Sequence, residues 1–368
     1  MRARYPLTTS SMPGSSTAAP QLLAAPSVPR PFRGWIQSPA YDVSLLLLAP
    51  IVGLPFLLAP AESGSRLALV LCGLLGFPHY LSTFTFYFWD ESRAYHRERW
   101  GAYFVGPTLI FVAFVILLLA DQPPLLLPTI LLLWNAVHVA RQSCGVLSIY
   151  RHRAGIADPE AKAAANAAIV LASLWMCFAN IESHAQAFPL LAAVHPRFLA
   201  WVRLALGGAA LAALLRLGAD SWRRTAEGRS MAAPEALALV SGLALFHPYL
   251  WIEDSARATL GMLLGHFLQY LGLVWLLHRR RFREDTGSIG QRVLFRLSSD
   301  LRMLIAAGLC AAGAVIGGYL LCLRLGFGNL FQVAFQVLVF NHFYLDALFW
   351  AFREPPVRAR LAPYLVTG

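Results

Sequence analysis

Blocks of almost unbroken apolar residues alternate along this chain with short polar segments, and each block is close to the length of a bilayer crossing. A helix rises about 1.5 Å per residue, so a hydrocarbon layer about 30 Å thick takes about 20 residues. Ten blocks fit that length: 42–60, 66–89, 101–120, 124–150, 164–181, 199–218, 233–252, 256–277, 302–323 and 329–352. The pattern predicts an all-α fold, a polytopic membrane helix bundle of about ten transmembrane helices in a single domain over 34–356.

The polar segments divide the rest of the chain. Residues 1–33 are rich in Ser, Pro and Ala and contain no apolar block, which predicts a disordered cytoplasmic tail. Residues 357–368 make a short cytoplasmic tail. Between the eighth and ninth blocks, 279–301 mixes Phe282, Ile289, Val293, Leu294 and Leu297 with several arginines. This pattern suits a cytoplasmic amphipathic connector lying in the interface, where acidic lipids attract the basic face.

Charge placement orients the bundle. Even-numbered blocks end in Asp90-Glu91-Ser92-Arg93, Tyr150-Arg151-His152-Arg153, Arg223-Arg224, His278-Arg279-Arg280-Arg281 and Arg353, whereas the opposite loops are short and poor in arginine. Ten spans with both termini inside satisfy the positive-inside bias, which predicts a multi-pass protein of the cytoplasmic (inner) membrane.

Composition agrees, with 58% hydrophobic residues, 13% charged residues and a mean hydropathy of +0.57, far from a soluble average of about a quarter charged. The net charge of +11 comes from arginine, Lys162 being the single lysine. No basic domain stands apart from the apolar blocks, which argues against nucleic acid. The five cysteines form no CxxC pair, so neither a thiolate metal knuckle nor a disulfide framework is indicated.

Within this apolar background four histidines stand out: His79, His138, His266 and His342. Each precedes the charged end of its block by about 11 to 13 residues, roughly 16 to 20 Å at helical rise, which is near the midplane. All four lie on even-numbered blocks, so their helices run in the same direction and carry the imidazoles at one depth. Intramembrane polar groups are costly and mark function, and an all-imidazole set suits iron, with zinc, copper or haem as alternatives. His96, His152 and His278 belong to the cytoplasmic surface, while His184, His195 and His247 fall toward the outer side.

Neighbours at helical spacing extend the set. Gln142 and Gln269 lie one turn beyond His138 and His266, and Asp346 follows His342 by four residues. These three suit the role of fixing imidazole tautomers around a metal. Arg141 and Asp346 are the clearly charged residues deep in the blocks, and an ion pair is the cheapest way to bury either. They are the candidate catalytic pair, serving as an anchor for a headgroup or an anionic intermediate.

The run His138-Val139-Ala140-Arg141-Gln142-Ser143-Cys144-Gly145 resembles a His-x-x-(Arg/Lys)-Gln-x-x-Gly box of uncharacterised polytopic bacterial membrane proteins. Ser38-Pro39-Ala40-Tyr41-Asp42 and Gly265-His266 followed by Tyr270-Leu271 extend the resemblance. It implies a shared site and carries over no activity.

No Glu-x-x-His pair is present, which argues against a carboxylate-rich di-iron bundle. The expectation is a metal-dependent oxidoreductase acting on a lipid or isoprenoid substrate in the bilayer, served by an electron donor. Three alternatives remain: a zinc-dependent lipid hydrolase, a haem-binding electron-transfer protein, and a transporter with a His/Arg/Asp polar pathway.

Overall fold

The computed structural model of the protein describes residues 34–55, 60–119, 126–156, 158–183, 189–282 and 288–366, so the predicted tail over 1–33 lies outside the described residues. Those residues are mostly helical, joined by turns and short irregular segments, with no strand among them. The chain runs through α1 (Pro39–Ile51), α2 (Ala61–Thr83), a 3-10 turn (Phe84–Phe88), α3 (Asp90–Glu98), a π turn (Gly101–Val105), α4 (Gly106–Leu119), α5 (Leu126–Arg153) and α6 (Pro159–Ser183). It continues through α7 (Pro196–Ala226), α8 (Ala233–Ala244), α9 (Ser255–Arg281), α10 (Ile289–Ser299), α11 (Leu301–Arg324), α12 (Gly328–Phe349) and α13 (Pro355–Leu365). One-turn helices at Pro189–Ala192 and Pro248–Trp251 complete the order.

Local chemistry explains many of the ends. The Ser38 hydroxyl accepts from the Tyr41 amide at the start of α1, and Asp254 accepts from the Arg257 amide at the start of α9. Asp300 does the same for Arg302 at α11. Each satisfies an amide that the first helical turn leaves without a partner.

Every predicted block carries a helix, but the lengths differ. Five helical segments are long and apolar enough to cross a membrane: Ile130–Arg153, Pro159–Ser183, Pro196–Ala226, Ser255–Arg281 and Leu301–Arg324. A sixth results if Ser92–Glu98 and Gly101–Leu117, which meet at 88°, form one broken span. With Leu109, Phe111, Leu204, Leu215, Leu309 and Leu320 exposed on α4, α7 and α11, these segments mark a membrane protein. The block at 233–252 is interrupted, because α8 stops at Ala244 and Pro248, which has no amide hydrogen, begins a separate turn.

Helix α9 is central and is the most buried of the five, whereas α7 and α11 are peripheral. It packs on α1 and α2 by close backbone approach. A Cβ at Gly265 would stand 2.0 Å from the Ala49 carbonyl oxygen, and one at Gly76 would meet Phe267 at 2.9 Å.

The polar ends gather in two groups. At one end Arg153 donates to the Trp35, Leu365 and Val366 carbonyls, and Arg280 donates to the Ile36 and Tyr364 carbonyls and the Gln37 side chain. Arg360 donates to Ser92 at the same end, where Arg151 and Arg224 flank Glu235. At the other end the His247 ring meets the Pro50 carbonyl, and Asn180 donates to the Ile252 carbonyl. The residues expected as a C-terminal tail include α13, whose Val357, Leu361 and Leu365 are buried. The amphipathic connector contains α10, with Leu294 buried and Ile289 and Val293 exposed.

Candidate metal centre

Helices α2, α5, α9 and α12 each bring one histidine to a common point. The ring centroids of His79 lie 4.6 Å from His266 and 4.4 Å from His342, and those of His138 lie 5.3 and 5.2 Å from the same two rings. Helix direction and equal depth could be read from the chain. The lateral convergence is a property of the fold alone. Pro78 precedes His79 within α2, where a proline both removes a helical hydrogen bond and crowds the preceding turn.

Ligand nitrogens of His79, His266 and His342 all lie within 4.8 Å of one another, as do donor atoms of His138, His342 and Asp346. These buried groups could hold a metal ion. The two sets share His342, whose Nδ1 is 2.7 Å from the Thr83 hydroxyl. A neutral imidazole offers a single lone pair, so the sets describe one site rather than two. The Nε2 atoms of His79 and His342 are 3.0 Å apart. Two nitrogens bound at about 2.1 Å to one ion, at a right angle, stand about 3.0 Å apart.

The polar surroundings fix the tautomer of His342. Tyr270 donates its hydroxyl to Asp346 Oδ1 at 2.7 Å, and Thr83 donates to the same oxygen at 2.9 Å. With its hydrogen committed to the carboxylate, Thr83 accepts from His342 Nδ1–H, which leaves the lone pair on Nε2 facing the other rings. Trp350 Nε1 donates to the Tyr270 oxygen at 3.2 Å and closes the network from the polar end. The second carboxylate oxygen, Asp346 Oδ2, lies 3.8 Å from His342 Nε2 and 3.9 Å from His138 Nε2.

Among the described residues several cluster nitrogens have no hydrogen-bond partner: His79 Nδ1, His138 Nε2 and both nitrogens of His266. Buried polar atoms are normally paired, and unpaired ones at a functional centre are what a ligand would satisfy. The walls are aromatic, with Phe267 at 4.7 Å from the His79 ring and Phe343 at 4.6 Å from His138.

The remaining candidate residues separate. Gln269 turns away from the imidazoles and donates to the Ser241 hydroxyl at 2.9 Å, and Ser241 in turn donates to the Leu46 carbonyl. Gln142 is next to the cluster along α5, and neither of its amide atoms has a partner among the described residues. Arg141 is exposed, and among the described residues no ion pair joins it to Asp346. The reason is geometric: Arg141 leaves α5 on its exposed side, whereas Asp346 is buried among the cluster helices.

Sequence reasoning missed Thr83 and met Tyr270 only in the stretch that follows Gly265-His266. A signal for both was present at four-residue spacing. Thr83, Gln142, Tyr270 and Asp346 each follow a cluster histidine by four, so each helix carries a polar group one turn toward the charged end.

No protein-family model, curated protein or solved structure matches the chain.

Proposed function

We propose that this protein is an intramembrane metal-dependent oxidoreductase acting on a lipid or isoprenoid substrate, with a single iron held by His79, His138, His266 and His342. The observation that carries this reading is the convergence of four imidazoles from four helices in an apolar interior, with donor atoms of His79, His266 and His342 within 4.8 Å of one another. All-imidazole sites with one nearby carboxylate suit iron, copper and zinc. Iron supplies one-electron and oxygen chemistry. The chain's own residues orient the rings through Thr83 and Asp346 and exclude water with Phe267 and Phe343.

Hydrolysis at zinc needs a supply of water, and His79, His266 and His342 are enclosed. Haem needs two imidazoles on opposite faces of a macrocycle, and ring centroids 4.4 to 5.3 Å apart leave no slot for one. Dryness and close ring spacing together favour a bare ion used for redox chemistry.

On this reading the ten apolar segments each cross the cytoplasmic membrane, with both termini in the cytoplasm. Support comes from the gathering of Arg151, Arg153, Arg224, Arg280 and Arg360 at one end of the bundle, as the positive-inside rule requires. The His138–Gly145 box is then the part of α5 that brings His138 to the ion.

Elemental analysis and an absorption spectrum on protein purified without chelator test the proposal, alongside a His138→Ala/His342→Ala double variant. The expected result is about one iron per chain, lost in the variant. Stoichiometric zinc in colourless protein would overturn the redox assignment. No metal in either preparation would make the cluster a packing layer joined by the His79–His342 contact.

A further inference from the structure

We propose that the flank of α5 beside His138 is a lateral portal for an amphiphile with an anionic headgroup, and that Arg141 anchors that headgroup. This deepens the metal-site reading above and rests on it for the purpose of the portal. The headgroup chemistry is a carboxylate or a phosphate.

Four observations lead here. First, His138 is the one cluster histidine that reaches the protein surface, its side chain 10% exposed, whereas His79, His266 and His342 are enclosed. Second, Ile130, Leu133, Trp134, Val137, Arg141 and Gly145 recur at helical spacing as the exposed stripe of α5, and Trp134 is 53% exposed. That stripe is apolar except for Arg141, so an acyl or isoprenoid chain fits it and a charged headgroup has one cation to meet.

Third, Arg141 enters no ion pair among the described residues, although it lies only three residues from the histidine layer. The arginine that ends the helix, Arg151, is ten residues further on, about 15 Å at helical rise. An arginine side chain cannot span that distance, so in a bilayer Arg141 needs a counter-anion at its own depth. A guanidinium binds carboxylate or phosphate oxygens bidentately, which suits it to this use.

Fourth, polar atoms without partners line the inner edge of the stripe. Asn135 Oδ1 and both amide atoms of Gln142 are buried and, among the described residues, unpaired, one residue on either side of His138 along the helix. Positions 135, 138 and 142 share one helix face, so these groups form a single line from one turn above the imidazole to one turn below. Gly145 keeps the flank open, because nothing lies within 4 Å of where its Cβ would be. A headgroup on Arg141 and Gln142 would hold the carbons next to it beside His138, so the chemistry falls near the headgroup rather than at the chain's far end.

Equilibrium binding to the full-length protein in a neutral detergent tests the portal, with radiolabelled oleate, oleyl phosphate and oleyl alcohol as probes. At least one of the two anions is expected to bind about ten-fold more tightly than the alcohol, and the tighter anion identifies the headgroup. Arg141→Gln should weaken that anion about ten-fold, Arg141→Lys should retain most of it, and neither should change metal content. Equal binding of all three probes, or an Arg141→Gln variant that binds the anions like the wild type, would overturn the proposal. Arg141-dependent binding in a protein that holds no metal would sink the oxidoreductase reading and leave the anion site standing.

Discussion

At His342 the two ring nitrogens have different tasks. Nδ1 lies 2.7 Å from Thr83, and Nε2 faces His79 across 3.0 Å. Thr83 connects them to the carboxylate, since its one hydrogen goes to Asp346 and its lone pairs remain for the imidazole. Thr83→Val keeps the shape and removes the hydroxyl, leaving His342 free to adopt the wrong tautomer. Metal affinity, measured by competition with a chromogenic chelator, should fall about 10- to 100-fold, and Thr83→Ser should restore it. An unchanged affinity in the valine variant would mean that another contact fixes the ring. The four histidines were legible because intramembrane imidazoles are rare and their depth can be counted along the chain. The partners were less so. Asp346 was visible as a charge, while Thr83 and Tyr270 are ordinary residues of apolar helices, distinguished only by following a histidine by four. The expected Arg141–Asp346 pair failed for a related reason, since counting residues gives depth and helix face but not which neighbour a face meets.

Between elements, the position of His266 depends on how closely α9 approaches α1. Gly265 precedes that histidine, and a Cβ there would stand 2.0 Å from the Ala49 carbonyl oxygen and 2.7 Å from Leu245 Cδ1. Backbone cannot give way as a flexible side chain can, so Gly265→Ala must push α1 and α9 apart and carry His266 with it. Overpacking of this kind costs about 1–3 kcal/mol, which thermal unfolding in detergent should register as a lower Tm together with reduced metal content. Gly313→Ala in α11 is the matched control, because nothing lies within 4 Å of its added Cβ and alanine is the better helix former. Equal Tm values for the two variants would show that the α1–α9 approach is not tight. Hydropathy had located a helix in each of the ten blocks, although five of the described helical segments, or six with the bent pair, are long and apolar enough to cross a membrane. It could not show that 66–89 tightens into a 3-10 turn at Phe84 or that 101–120 opens with a π turn.

For the whole molecule, the polar end works as a fastening that draws the first and last described segments onto the bundle. Arg153 and Arg280 hold carbonyls of residues 35–36 and 364–366, and Arg360 of α13 reaches Ser92 of α3. Beneath α13 lies His96, buried, with its ring 4.3 Å from Tyr103 and Tyr87 and Tyr95 also against it. Burial, with the Arg360 guanidinium as a second cause, pushes the His96 imidazole down to about 4 from its usual 6.5. An undocked form would titrate near about 6.5, so between the two values it binds a proton that the docked form refuses. The contribution to docking is therefore complete above pH 6.5 and is lost progressively as the pH falls toward 4. Hydrogen exchange of the α13 amides, corrected for intrinsic rates, should be faster at pH 4.5 than at pH 7 in the wild type. His96→Gln carries no titrating group and should flatten that difference, while leaving whatever Glu354 contributes through its pairing with Arg99. The same pH response in both proteins would remove His96 as its cause. Metal content should be indifferent to the substitution, because His96 lies beyond the span that holds His79, with the 3-10 turn at Phe84–Phe88 and the first residues of α3 between them.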